Sequence, residues 1–257
     1  MKRALTWLLL AALPLATSAL AHVTAAQVAR EASFEQRLAA TIPGSLVFRD
    51  EHGTDVHLSD YYGAAPIVLV FAWYGCSTLC PTVVGNLAHA LEHGDLARAD
   101  YQVVVVSIDP RDAPADALRM KRQHLATVRA NAWHLLSGGE RHIAALAQAA
   151  GFRYAYDEDT HQYAHPAGAV VLTPRGTIAR YFLGFDYTPA ALREGLDAAA
   201  HGEIGSPVER LLLVCFHFLP SGRYSALVLQ TLRIASVALA LVAVGVVLVK
   251  RRRVAAR

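Results

Sequence analysis

Residues 67–87, IVLVFAWYGCSTLCPTVVGNL, leave the chain few ways to fold. The run from Ile67 to Ala72 is apolar without a polar alternation, so both faces of the segment must be buried, as in a central strand of a parallel sheet. Trp73, Tyr74 and Gly75 end the run and Pro81 opens a helical pattern, the order expected where a strand hands over to the helix that crosses its sheet. Cys76 and Cys80 stand at this strand-to-helix corner, a place where functional groups collect. Residues four apart at a helix start project to one side, so the two sulfurs can converge. The positive end of the helix also favours thiolate over thiol. Converging thiolates can close a disulfide or hold a soft metal ion, and their spacing alone does not choose.

The flanking sequence predicts an α/β domain over residues 41–202. Leu46, Phe48, Val56 and Leu58 alternate with polar residues around Asp50-Glu51-His52-Gly53, which reads as an N-terminal hairpin. Helices are expected over 81–97, 115–129, 140–150 and 188–200, and further strands over 101–108 and 133–136. Residues 169–172 and 178–183 form a second hairpin across Thr173-Pro174-Arg175-Gly176. The acidic segment 154–165 reads as an exposed loop, and residues 22–40 as a linker. Sheet and helices together make a three-layer fold of ordinary single-domain size.

A hydrophobic content of 54% in 257 residues is more than such a domain needs. Two terminal segments account for the excess. Lys2 and Arg3 precede an apolar run over residues 4–15, and Ala19-Leu20-Ala21 supplies a small-x-small cleavage pattern, so residues 1–21 read as a secretory signal peptide. Residues 227–249 are apolar except for Gln230, Thr231, Arg233 and Ser236, long enough for one transmembrane helix. The basic tail 250–257 marks its cytoplasmic end. These features predict an inner-membrane, single-pass protein whose main domain faces the periplasm.

The formal charge of +3 belongs to the ends. Setting aside Lys2, Arg3, Lys250, Arg251, Arg252, Arg253 and Arg257 leaves 17 of the 24 basic residues against 21 acidic ones, a net of −4. Such a body offers no nucleic-acid-binding surface. With three cysteines in all, the exported chain is not a disulfide-stapled scaffold.

Three residues between Cys76 and Cys80 leave more room than the two of a common redox dithiol, enough for an ion. Two thiolates with one imidazole make a three-coordinate site that selects Cu(I) over hard cations. His165 is the best third ligand, because it closes the acidic segment and stands just before the 169–172 strand. Asp109 and Asp112 read as turn and helix-cap residues, and Trp73 and Tyr74 either wall the corner or pack in the core.

The runs FAWYGCSTLCP, VVVVSIDPRDAP, WHLLSGG and HPAGAVVLTPRG, in that order, resemble the SCO/SenC family of copper-binding, thioredoxin-fold assembly factors for cytochrome c oxidase. The resemblance covers residues 46–200 and implies a thioredoxin-like fold with copper bound by Cys76, Cys80 and His165. Many members place Asp before the histidine, whereas Ala164 stands here, so the group that orients the imidazole is not given by the resemblance. The family implies delivery of copper to the binuclear copper centre of oxidase subunit II, or to another copper-accepting protein, or reduction of that centre's cysteines. An extracytoplasmic thiol-disulfide oxidoreductase using Cys76 and Cys80 without metal is the alternative. In the juxtamembrane segment 203–226, Cys215 and His217 form a Cys-x-His pair that could serve copper as accessory ligands.

Overall fold

The computed structural model describes residues 32–63, 65–76, 79–92, 100–126, 128–158, 160–207, 214–215, 234 and 236. The chain divides into a unit of residues Gln27–His217, described below, and a unit of Met1–Ala26 with Phe218–Arg257. In the second unit only Ile234 and Ser236 are described, both helical and exposed. The signal peptide, the basic tail and the rest of the 227–249 span therefore lie outside the described residues. No described helix is long and apolar enough to cross a membrane.

In chain order the elements are β1 (Ser33–Phe34), β2 (Val47–Arg49), β3 (Asp55–His57), β4 (Ile67–Ala72), α1 (Leu79–Leu91), β5 (Gln102–Ser107), α2 (Pro114–His124) and β6 (Trp133–Leu136). They continue with α3 (Glu140–Ala149), β7 (Phe152–Arg153), β8 (Ala155–Asp157), β9 (Gln162–Pro166), β10 (Gly168–Leu172), β11 (Ile178–Leu183), α4 (Pro189–Ala200) and β12 (Val214–Cys215).

The central sheet runs β11-β10-β4-β5-β6. β4, β5 and β6 are parallel, while β10 is antiparallel to β4 and β11 to β10. This order and sense make the fold thioredoxin-like. The apolar run of β4 is explained by its two faces. Val68, Val70 and Ala72 pack into one core with residues of α1, α2 and α4, among them Leu87, Leu91, Met120, Leu192 and Leu196. Ile67, Leu69 and Phe71 pack into a second core with Ile143 and Leu146 of α3, Phe48 of β2 and Phe34 of β1. The sheet is thus covered on both sides, and β4 at its centre carries apolar residues at every position.

Three expectations change. The end of the expected 22–40 linker belongs to the domain: β1 pairs with β7, Glu35 N–H donates to Gly151 C=O at 2.7 Å, and Phe34 meets Phe152 edge-on at 5.2 Å. The expected loop 154–165 contains the antiparallel hairpin β8–β9, with Tyr156 opposite Tyr163. Helix α2 stops at His124 rather than reaching Arg129, because the next residue, Leu125, turns into the first core.

Candidate metal centre

β4 delivers the chain to a turn closed by Cys76 N–H donating to Trp73 C=O at 3.1 Å. Tyr74 fastens this turn to the sheet. Its buried hydroxyl lies 3.0 Å from Val105 C=O and 2.9 Å from Leu136 C=O, and burial raises its phenol well above the ordinary tyrosine range. Tyr74 is therefore a core residue. Trp73 is half-buried and meets Tyr163 of β9 edge-on with ring centroids 5.7 Å apart, so it forms a wall of the corner. A Cβ on Gly75 would fall 2.8 Å from Trp73 Nε1, which is why the chain carries glycine where it passes the indole.

Cys80 lies in the first turn of α1 and is 1% exposed, while Cys76 is half-buried before the helix. Neither is in a disulfide. The hairpin β8–β9 brings His165 to them: its Nε2 is 3.2 Å from Cys80 Sγ, in a site where His165 is 3% exposed. Nδ1 of the same ring lies 3.0 Å from Pro166 C=O. A carbonyl can only accept, so Nδ1 carries the proton and Nε2 presents its lone pair to the sulfur. Burial lowers the pKa of His165, opposed by the Pro166 hydrogen bond and by the charge of Cys76, and the ring is neutral at neutral pH. Pro166 C=O is thus the group that orients the imidazole in place of the absent Asp.

Cys80 and His165 are brought together in contact, and Cys76 is near enough to act on His165 through its charge. Among the described residues no group of three or more His, Cys, Asp or Glu side chains is gathered closely enough to hold a metal ion. Ser77 and Thr78, which join the cysteines, lie outside the described residues. The donor types, two sulfurs and one nitrogen whose lone pair faces Cys80 Sγ, suit a soft ion.

The SCO1/SenC family model matches residues 34–201. The chain belongs to the SCO1/SenC family. Among solved structures it is similar to a protein of Aquifex aeolicus VF5 described as a candidate electron transfer protein, at 24% identity and a TM-score of 0.58, covering 65% of this chain and 96% of that one. It is similar to BsSco, a member of the Sco family of cytochrome c oxidase assembly proteins with an identified disulfide switch, at 16% identity and a TM-score of 0.55 over 65% and 98% of the two chains. Arabidopsis thaliana ScoI with copper bound matches at 19% identity and a TM-score of 0.53 over 63% and 99%. The comparison with curated proteins gives no match.

Within this SCO1/SenC domain the two aspartates divide. Asp109 is the expected turn residue: its carboxylate accepts Arg111 N–H at 2.9 Å and its carbonyl accepts Asp112 N–H at 3.1 Å. Burial raises the Asp109 pKa, but the Arg111 guanidinium outweighs this and holds it below the usual carboxylate range. Asp112 is not the helix cap. Asp116 accepts Ala113 N–H at 2.8 Å instead, and Asp112 Oδ2 accepts Tyr74 N–H at 2.9 Å and the Ser107 hydroxyl at 2.6 Å. Asp112 thus positions the turn that carries Cys76, a role its sequence context does not show. Arg111 also lies over the Tyr156 ring at 4.9 Å, tying the β5 end to the hairpin that holds His165.

Cys215 lies beyond the SCO1/SenC match, in β12, which pairs antiparallel with β9 in the register Val214 to Pro166 and Cys215 to His165. His217 lies outside the described residues.

Proposed function

We propose that this SCO1/SenC protein is a membrane-tethered copper chaperone that takes copper with Cys76, Cys80 and His165 and passes it to a copper-accepting protein. The observation that carries this reading is the Nε2 of His165 facing Cys80 Sγ at 3.2 Å, with Nδ1 tied to Pro166 C=O. A neutral, pre-oriented imidazole beside a buried sulfur needs only the second cysteine to complete a soft donor set of two sulfurs and one nitrogen. The copper bound to Arabidopsis thaliana ScoI supports the same cargo here. The description of BsSco as a cytochrome c oxidase assembly protein supports the binuclear copper centre of oxidase subunit II as the acceptor.

In this reading the signal peptide exports the domain, the 227–249 helix holds it in the inner membrane and the domain faces the periplasm. Tethering raises the effective concentration of the site near a membrane-bound acceptor. Thiols of the acceptor replace Cys76 and Cys80 one at a time, so the copper is never released to water.

The test is copper stoichiometry of the reduced full chain against Cys76→Ser, Cys80→Ser and His165→Ala. One equivalent in the wild type and loss of tight binding in each variant is the expected result. Unaltered copper affinity in His165→Ala would remove the basis of the proposal. A second reading, a thiol-disulfide oxidoreductase, is favoured by one observation: Cys76 is half-buried at the rim and Cys80 fully buried behind it, the arrangement of an attacking and a resolving thiol. Rapid reduction of a model disulfide by metal-free protein, retained in His165→Ala, would favour it.

A further inference from the structure

We propose that Arg111 is a positioning residue for His165: its guanidinium holds the β8–β9 hairpin against the cysteine corner and so sets how the imidazole meets Cys80, an assignment that rests on the copper reading above. Strand β9 ends at Pro166 and β10 begins at Gly168, so the central sheet fixes the chain on one side of His165. On the other side, Tyr163 stands on the same face of β9 as His165, because side chains alternate along a strand. Whatever holds Tyr163 therefore supplies the second support of the ring.

That support is built from the end of β5. Asp109 is buried, and Arg111 grips its carboxylate with two nitrogens, Nε at 2.8 Å from Oδ1 and Nη2 at 2.9 Å from Oδ2. Such a two-point fork fixes the plane of the guanidinium. The plane lies over the Tyr156 ring at 4.9 Å, with Nη1 3.4 Å from the Tyr156 hydroxyl. Tyr156 is the register partner of Tyr163, with ring centroids 4.9 Å apart, and Tyr163 in turn meets Trp73 at 5.7 Å. The Asp109 carboxylate also faces Tyr163: burial first, and then that charge, push the phenol up to about 12. An exposed ion pair is ordinarily worth little, but here the carboxylate is buried and the cation is held flat between it and a ring. Asp112 N–H closes the same turn onto Asp109 C=O at 3.1 Å, and Asp112 Oδ2 accepts Tyr74 N–H at 2.9 Å. One short turn thus holds both halves of the site, Asp112 the cysteine side and Asp109 with Arg111 the histidine side.

The experiment compares wild type, Arg111→Lys and Arg111→Ala as the reduced full chain in detergent, loaded with Cu(I) in competition with a chromophoric chelator. Arg111→Lys keeps a positive charge beside Asp109 and loses the fork and the stacked plane. Both variants are expected to lose about tenfold or more in copper affinity, the usual cost of removing a group that orients a ligand. A metal-free arm reads the ring position alone: iodoacetamide is expected to modify Cys80 faster in both variants than in the wild type, with the Cys76 rate and the circular dichroism spectrum unchanged. Wild-type copper affinity and wild-type Cys80 alkylation in both variants overturn the proposal and leave the Cys76, Cys80 and His165 reading intact. Wild-type values in Arg111→Lys with losses only in Arg111→Ala also overturn it, because charge alone would then suffice. No copper bound by the wild type overturns the copper reading, and the Cys80 alkylation rates still decide whether Arg111 places the ring.

Discussion

His165 Nε2 stands 3.2 Å from Cys80 Sγ across 85 residues of sequence, and this contact makes the two corner thiols unequal. Cys80 is shielded by the ring and by the core, whereas Cys76 keeps a half-exposed position at the loop. Iodoacetamide at neutral pH is therefore expected to modify Cys76 first, with Cys80 slower by about tenfold or more, since alkylation needs both a thiolate and access. Peptide mass mapping against time checks the order. His165→Ala should bring the Cys80 rate up towards that of Cys76, and equal rates in the wild type would contradict the shielding.

Asp112 gives a pair of substitutions with opposite outcomes. Its Oδ2 accepts both Tyr74 N–H and the Ser107 hydroxyl, and burial raises its pKa, the Ser107 and Tyr74 hydrogen bonds only partly opposing this. The charged form is thus disfavoured in the folded state, so Asp112→Asn, which keeps an acceptor and drops the charge, should match or exceed wild-type stability at pH 7. Asp112→Ala leaves both donors unsatisfied and should cost about 1–3 kcal/mol. Urea unfolding of the three proteins measures both differences.

Much of this architecture is legible in the chain because both faces of the sheet are buried. The unbroken apolar run of β4 states that burial directly, and Cys76, Cys80 and His165 follow from motif and order. The β8–β9 hairpin is hidden by the acidic turn around Asp157 and Glu158, although Tyr154, Tyr156 and Tyr163 carry its aromatic face. The partner of the His165 ring is a backbone carbonyl, which any residue at 166 would supply and no sequence pattern marks. β1 rests on one aromatic residue, Phe34, too short a signal to separate a strand from a linker. The pairing of β12 with β9 is a long-range choice made by tertiary context.

Two Gly→Ala substitutions should have opposite signs, and the first tests the docking of β1. Gly151 has φ +64° and a Cβ there would fall 1.8 Å from Glu35 C=O, so neither the backbone conformation nor the neighbouring strand tolerates a side chain. Gly151→Ala should destabilise by about 2 kcal/mol or more, combining left-handed strain with separation of β1 from β7. Gly85 lies within α1 and a Cβ there meets nothing within 4 Å. Gly85→Ala should stabilise by about 0.5–1 kcal/mol through helix propensity. Thermal unfolding of both variants reads the two signs, and a neutral Gly151→Ala would argue against the packing of β1.

Mild acid should weaken the metal-free domain through two imidazoles, His165 buried and His134 half-buried. Burial lowers the pKa of His134, with Glu51 the largest opposing charge, and its Nε2 lies 2.7 Å from Gln102 Oε1. Burial lowers that of His165 as well. In the unfolded chain both rings take up a proton near pH 6.5, the ordinary histidine value, whereas in the folded state they stay neutral to lower pH. Between the unfolded and folded values the unfolded chain binds more protons, so stability rises with pH across that window and levels off above about 6.5. Going the other way, stability is lost as pH falls below about 6.5. Urea midpoints of the metal-free protein at pH 7.5, 6.5 and 5.5 should show a plateau between the first two and a drop at the third. His134→Gln removes one of the two titrating groups and should make the drop shallower; a drop of undiminished size in that variant would assign the acid sensitivity to other groups.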